Sequence, residues 1–256
     1  MAEDVVRVLQ PKLASLYQGA LHQGESIDLK GDGEPLHHYR VGLRKCRSLL
    51  KLYRQMLPQA LYESLVISLG QQARVTNLMR DLDVLQQSLP ASHPLLAVVE
   101  AWRRQAFTEL FLQLGQLKRE RALCVSVMAL PWPKALAQFS EVTENVAVKL
   151  EGKIHRVHQR ALLGGHPQDW HRLRIVIKRR RYLKEQCQPG ASYRGDKALQ
   201  DALGAFNDSC CQIAFLEQQQ QRLSADLQPV LRQLLEQLEH RRQQQLAALG
   251  HLPEQN

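Results

Sequence analysis

The stretch His37-His38-Tyr39-Arg40-Val41-Gly42-Leu43-Arg44-Lys45-Cys46-Arg47 decides how the chain is read. At 100° per residue, His37, Arg40, Arg44, Arg47 and Lys51 fall three, four, three and four residues apart, on one narrow stripe. Leu43, Cys46, Leu49, Leu50, Tyr53 and Leu57 take the opposite side. Only a helix sorts these residues so cleanly. It would bury one face in a bundle and present a row of cations from the other.

The pattern returns. His171-x-x-Arg174-Ile-x-x-Lys178-Arg179-x-Arg181 matches His37-x-x-Arg40-Val-x-x-Arg44-Lys45-x-Arg47 at a constant offset of 134 residues. Its apolar side is Leu173, Val176, Ile177, Leu183 and Cys187. A second pair, Arg80-Asp81 and Asn207-Asp208, follows in the same order at an offset of 127. One basic helix can resemble another by chance, but chance seldom keeps the order of a second motif too. The chain therefore reads as a duplication, with halves at 1–130 and 131–256 divided near Pro131-Trp132-Pro133.

Helical periodicity runs almost throughout, and no segment alternates as a strand. Helices are expected at 3–18, 36–57, 59–89 (allowing an interruption), 93–128, 134–163, 169–187, 196–222 and 226–249. Gly31 to Pro35 breaks the chain before the first basic helix. Gly164, Gly165 and Pro167 do so before the second, where Asp169 is the expected N-cap. The fold class is all-α.

The 256 residues suffice to bury a core, and Leu, Ala and Gln dominate over a 5% aromatic content. No apolar run approaches the 20 or so residues of a membrane span. Glu3 and Asp4 near the start do not read as a signal peptide, and five cysteines do not suggest a disulfide framework. A reducing cytoplasm is the expected location, with no membrane partner and a monomer or weak dimer as the form.

The net charge of +9 is concentrated. Residues 37–54 and 171–184 hold 13 of the 34 basic residues and no acid, which leaves 21 basic against 25 acidic elsewhere. An ordinary solvated face would account for a single stripe, but such faces mix signs. The pairs Arg40/Arg44, Arg44/Arg47 and Arg47/Lys51 are all repulsive, at roughly 0.2–0.5 kcal/mol each. A bound polyanion would reverse that sign. Arginine outnumbers lysine in both stripes, and its planar fork bridges two phosphate oxygens. The first row climbs about 20 Å, longer than a mononucleotide needs. His37 and His171 open the rows and would donate a hydrogen bond or, when protonated, a charge.

These segments resemble the CHAD family, the conserved-histidine α-helical domain. The likeness rests on His37 to Arg47 and on His171-Arg172-Leu173-Arg174-Ile175-Val176-Ile177-Lys178-Arg179-Arg180-Arg181-Tyr182, together with Leu78 to Val84 and Leu203 to Asp208. Thr76-Asn77 departs from it, standing where a Leu-Gly pair is more typical. The resemblance implies two helical bundles related by a pseudo-twofold axis around a basic central cavity. It also implies binding of inorganic polyphosphate and association with polyphosphate granules. Carried over by position, the implied contacts are His37, Arg40, Arg44, Lys45, Arg47, His171, Arg174, Lys178, Arg179 and Arg181. Arg80 is a further candidate, and Lys51 joins them by its place in the stripe. Asp81 and Asp208 are expected to orient arginines. Lys149, Lys153, Arg156 and Arg160 form another row at spacings of four, three and four, read equally as cavity lining or as solvated face.

Two rival functions remain. A polyphosphate or triphosphate hydrolase would need carboxylates to hold Mg²⁺ beside the phosphates, and Asp81 and Asp83 lie about 200° apart around a helix. The chain is therefore expected not to be an enzyme. A nucleic-acid binder would use the same phosphate contacts, but the stripes lack interleaved aromatics for stacking and Asn or Gln for reading bases. His155 and His158 share a face without completing a metal-ligand set. No Gly-rich phosphate loop, nucleophile elbow or Cys-x-x-Cys occurs, so no cofactor is expected.

Overall fold

The computed structural model describes residues 3–29, 33–190, 192 and 194–250, the side chains of 194–196 excepted. Ten helices form among them: α1 (Val5–Glu25), α2 (Glu34–Leu52), α3 (Gln59–Val75), α4 (Asn77–Ser88), α5 (Leu96–Gln116), α6 (Lys118–Ala129), α7 (Phe139–Gly164), α8 (Pro167–Cys187), α9 (Arg194–Gln219) and α10 (Gln228–Gly250). Short 3-10 turns occupy Arg54–Met56 and Gln220–Arg222. No strand forms among the described residues. No helix there is long and apolar enough to cross a membrane. The all-α expectation holds.

Several boundaries differ from the sequence reading; α1, for one, runs on to Glu25 instead of ending at 18. The first basic helix stops at Leu52 and tightens into the 3-10 turn instead of running to 57. The 59–89 segment is two helices that part at Thr76, whose hydroxyl donates to the Ala73 carbonyl (2.7 Å). The 93–128 segment parts at Leu117. The first break is the interruption allowed for in that segment, while the second, two residues after Gly115, falls where none is expected. Asp169 is not an N-cap either. α8 begins two residues earlier at Pro167, where the fixed φ suits a first turn, and Asp169 sits within that turn.

The chain forms two compact units. The first comprises residues 1–80, 104–150 and 182–189; the second comprises 81–103, 151–181 and 190–256. In the first unit Asp4 caps α1 by accepting from the Val6 and Arg7 amides (2.8 and 3.1 Å). Leu9, Leu13, Tyr17 and Ala20 of α1 and Leu36, Tyr39, Leu43, Cys46 and Leu50 of α2 are buried. Each such leucine contributes on the order of 1.5–3 kcal/mol. A buried polar knot lies behind them: Tyr17 and Tyr39 donate to Gln72 Oε1 (3.0 and 3.2 Å), and Gln72 Nε2 donates to Ser68 Oγ (3.3 Å). With its partners satisfied, the knot fixes how α1, α2 and α3 register.

In the second unit Trp170, Leu173, Val176 and Ile177 of α8 are buried, as are Leu203, Phe206, Leu231, Leu234 and Leu238 of the α9–α10 hairpin. Asp83 and Arg103 form a buried ion pair at 2.7 Å. Cutting one partner there would strand a charge, which typically costs 3–5 kcal/mol.

α2 approaches α1 closely at Gly42. A Cβ there would stand 2.7 Å from the Ala20 Cβ and 3.3 Å from its Cα. Gly42→Ala is expected to destabilise the chain by about 1–3 kcal/mol through overpacking. Gly19→Ala, at an exposed site of α1 with nothing within 4 Å, should stabilise it by about 0.5–1 kcal/mol. Urea unfolding of the two variants checks both signs.

Candidate anion-binding rows

Gly33, at φ 77°, and Pro35 in the first turn set the start of α2. They place His37 half-buried at the head of the first row. Burial, and next the Arg80 cation, hold its imidazole below the ordinary value near 6.5; His38 and Arg44 push the same way and only Glu34 opposes them. Burial first, and the cations around it next, thus favour the neutral ring of His37.

The row's other members divide by what holds them. The Nη1 of Arg40 donates to the Ala73 carbonyl (3.3 Å), Thr76 Oγ1 (2.5 Å) and Asn77 Oδ1 (2.9 Å). It therefore caps the end of α3, and Thr76-Asn77, the departure from the family pattern, supplies two of its acceptors. Lys45 pairs with Glu185 at 2.5 Å. Lys51 is exposed. Arg44 and Arg47 are half-buried. The Arg47 guanidinium is held below its usual value by burial and then by Arg44 and Arg74. Among the described residues, Arg47 Nε and Arg80 Nη1 are buried atoms with no hydrogen-bond partner. Arg74 was not legible as a contributor: it stands alone among Gln71, Gln72, Ala73 and Val75, so no charge pattern announces it.

In the second row the His171 ring is exposed, and its Nδ1 lies 2.6 Å from Asn207 Oδ1. An amide oxygen only accepts, so Nδ1 carries the proton and Nε2 is left for another partner. The two repeated motifs are thus brought together by geometry here as Arg80 and His37 are by field in the first unit. Arg174, Arg179 and Arg181 are half-buried, and Lys178 is 8% exposed. Arg180, which falls off the stripe, is more buried still and donates to Glu151 at 2.7 Å. Asp81 and Asp208 border a narrow hollow with Cys211, whose thiol is pushed up to about 11 by burial first and by both carboxylates next. Among the described residues no group of three or more His, Cys, Asp or Glu is placed to hold a metal ion.

The CHAD domain pattern matches residues 17–217. The chain belongs to the CHAD domain family. The fold agrees: the crystal structure of the CHAD domain from the plant Ricinus communis is similar at a TM-score of 0.74 and 21% identity, over 98% of this chain and 93% of that one. PptA from Streptomyces chartreusis is similar at 0.67 and 17% identity, over 96% and 98%. No curated protein matches the chain. At such identities the structural likeness speaks for the CHAD fold.

The field around His37 yields a titration test. Its depressed value means the folded chain stays neutral there while the unfolded chain takes a proton near pH 6.5, so its contribution to stability is full above that pH and is lost as pH falls towards the folded value. In Arg80→Gln, the His37 resonances followed by NMR should titrate at higher pH than in the parent chain. An unchanged midpoint would show that Arg80 does not act on the ring.

Proposed function

We propose that this CHAD protein binds inorganic polyphosphate through its two basic rows and performs no chemistry on it. The observation that carries this reading is the uncompensated repulsion on α2. Arg47 lies in the field of Arg44 and Arg74, and His37 lies in that of Arg80, while buried guanidinium atoms of Arg47 and Arg80 go without partners. A chain of phosphates relieves every one of these costs together, accepting the hydrogen bonds and reversing the sign of the field. Displaced counterions add to the affinity, as they do when proteins neutralise a nucleic-acid backbone.

The family resemblance supports polyphosphate as the polyanion, in the cytoplasm or on polyphosphate granules. A hydrolase reading finds less support, because the carboxylates that would hold Mg²⁺ are otherwise engaged. Asp83 is 2% exposed and tied to Arg103, whereas Asp81 is exposed. The two do not converge on one ion.

Charge reversal separates row from ordinary surface. Arg44→Glu and Arg181→Glu, one change in each unit, should each weaken retention on immobilised polyphosphate, and together should nearly abolish it with helix content by circular dichroism unchanged. Full retention by the double variant would overturn the proposal. The complex should also take up a proton, because phosphate beside His37 favours the imidazolium. Affinity is then expected to rise as pH falls from 8 towards 6, and calorimetry in buffers of different ionisation enthalpy counts the proton.

A further inference from the structure

The strongest feature outside the two rows is the corner between α7 and α8, all of it within the second unit. Gly165, at φ 62°, ends α7 in the left-handed conformation, its amide donating to the Ala161 carbonyl at 2.9 Å. The His166 carbonyl then accepts from the Asp169 and Trp170 amides, which starts α8 at once. This tight reversal brings Arg160 of α7 and Arg172 of α8 onto the same atom. Each guanidinium lies 3.1 Å from Asp169 Oδ1.

The exposures show which way the cluster faces. The Asp169 side chain is 7% exposed, while those of Arg160 and Arg172 are 69% and 55% exposed. The carboxylate is sealed beneath two arginines that point their remaining donors outwards, so it holds them in place and cancels only one of their charges. A hollow of about 620 Å³ opens beside them, lined by His155, Arg156, Gln159, Arg160 and His166. A second, of about 450 Å³, shares Arg160 and His166 and reaches Arg172. Among the described residues Arg156 has no ion pair or hydrogen bond, and it adds a third cation.

The duplication does not demand this arrangement. At the offset of 134, Ser26, Pro35 and His38 stand where Arg160, Asp169 and Arg172 stand in the second half. Turning the corner needs Gly165 and Pro167; it does not need two arginines on one buried acid.

We propose that the α7–α8 corner is a separate site for a compact phosphate group, either free phosphate or the end of a short phosphate chain. Two arginines pre-oriented by one acid present paired N–H groups of the kind that clasp phosphate oxygens. His155 and His166 supply further donors at the rim. The hollow's lining carries no Phe, Tyr or Trp on which a base would stack, which favours inorganic phosphate over a nucleotide. None of Arg160, Asp169 and Arg172 belongs to either row, so the site does not rest on the function proposed for them.

Calorimetric titration of the full chain with pyrophosphate at low ionic strength tests it. Binding at the corner is expected as one site per chain, seen alone in Arg44→Glu/Arg181→Glu where the rows are weakened, and reduced at least about tenfold when Arg160→Gln/Arg172→Gln is added, since each lost charged fork is a strong contact. Arg156→Gln, which leaves the corner's own contacts intact, should also weaken it. Orthophosphate binding as tightly as pyrophosphate identifies free phosphate as the ligand; linear tripolyphosphate binding where cyclic trimetaphosphate does not identifies a chain end. Absent pyrophosphate binding in Arg44→Glu/Arg181→Glu, ATP binding there more tightly than pyrophosphate, or affinity unmoved by Arg156→Gln would each overturn the proposal.

Discussion

Repulsion between like charges is the constraint around which this chain is organised. α2 carries its cations on the face opposite Leu43, Cys46 and Leu50, so burying the apolar face commits the charges to each other's company. Moving Arg47 away from Arg44 and Arg74 would mean rotating α2, which would take Gly42 out of its place against Ala20 and bring a side chain in its stead. Packing therefore stabilises an electrostatic arrangement that is unfavourable by itself. The polar knot of Tyr17, Tyr39 and Gln72 fixes the same register from behind. Stability resides in the core, which holds the charges in place.

The two halves have kept the row and varied its surroundings. His37 sits beside Arg80, a cation, whereas His171 donates to Asn207, a neutral amide at the corresponding place in the repeat. Lys45 is tied to Glu185, and a buried cation of α8, Arg180, is tied to Glu151. One histidine is thus held towards its neutral form by burial and neighbouring cations. The other is locked in orientation. The two rows need not respond alike to pH.

Much of this was legible in the sequence because it depends on period and charge. The apolar sides assigned to α2 and α8 are buried, the family resemblance holds, and the all-α class follows from the absence of alternation. What escaped depends on single side chains acting at a distance. Thr76 divides α3 from α4 through its own hydroxyl, with Arg40 arriving from 36 residues away to cap the break. Asp169 has the residue type and place of an N-cap, yet it lies inside the first turn and gathers Arg160 and Arg172. Arg74 joins the field of Arg47 from a helix with no charge pattern of its own. Tertiary proximity decides these roles, and local spacing is blind to it.

Rows that serve a dense, flexible chain of phosphates must prefer it to the regular backbone of a duplex. Competition at matched salt and matched phosphate concentration tests that preference most directly, because counterion release then favours neither ligand by dilution. With fluorescent polyphosphate bound to the chain at physiological ionic strength, unlabelled polyphosphate should displace it far more effectively than duplex or single-stranded DNA. Displacement by DNA at equal or lower phosphate concentration would contradict the account and make this a nucleic-acid-binding protein.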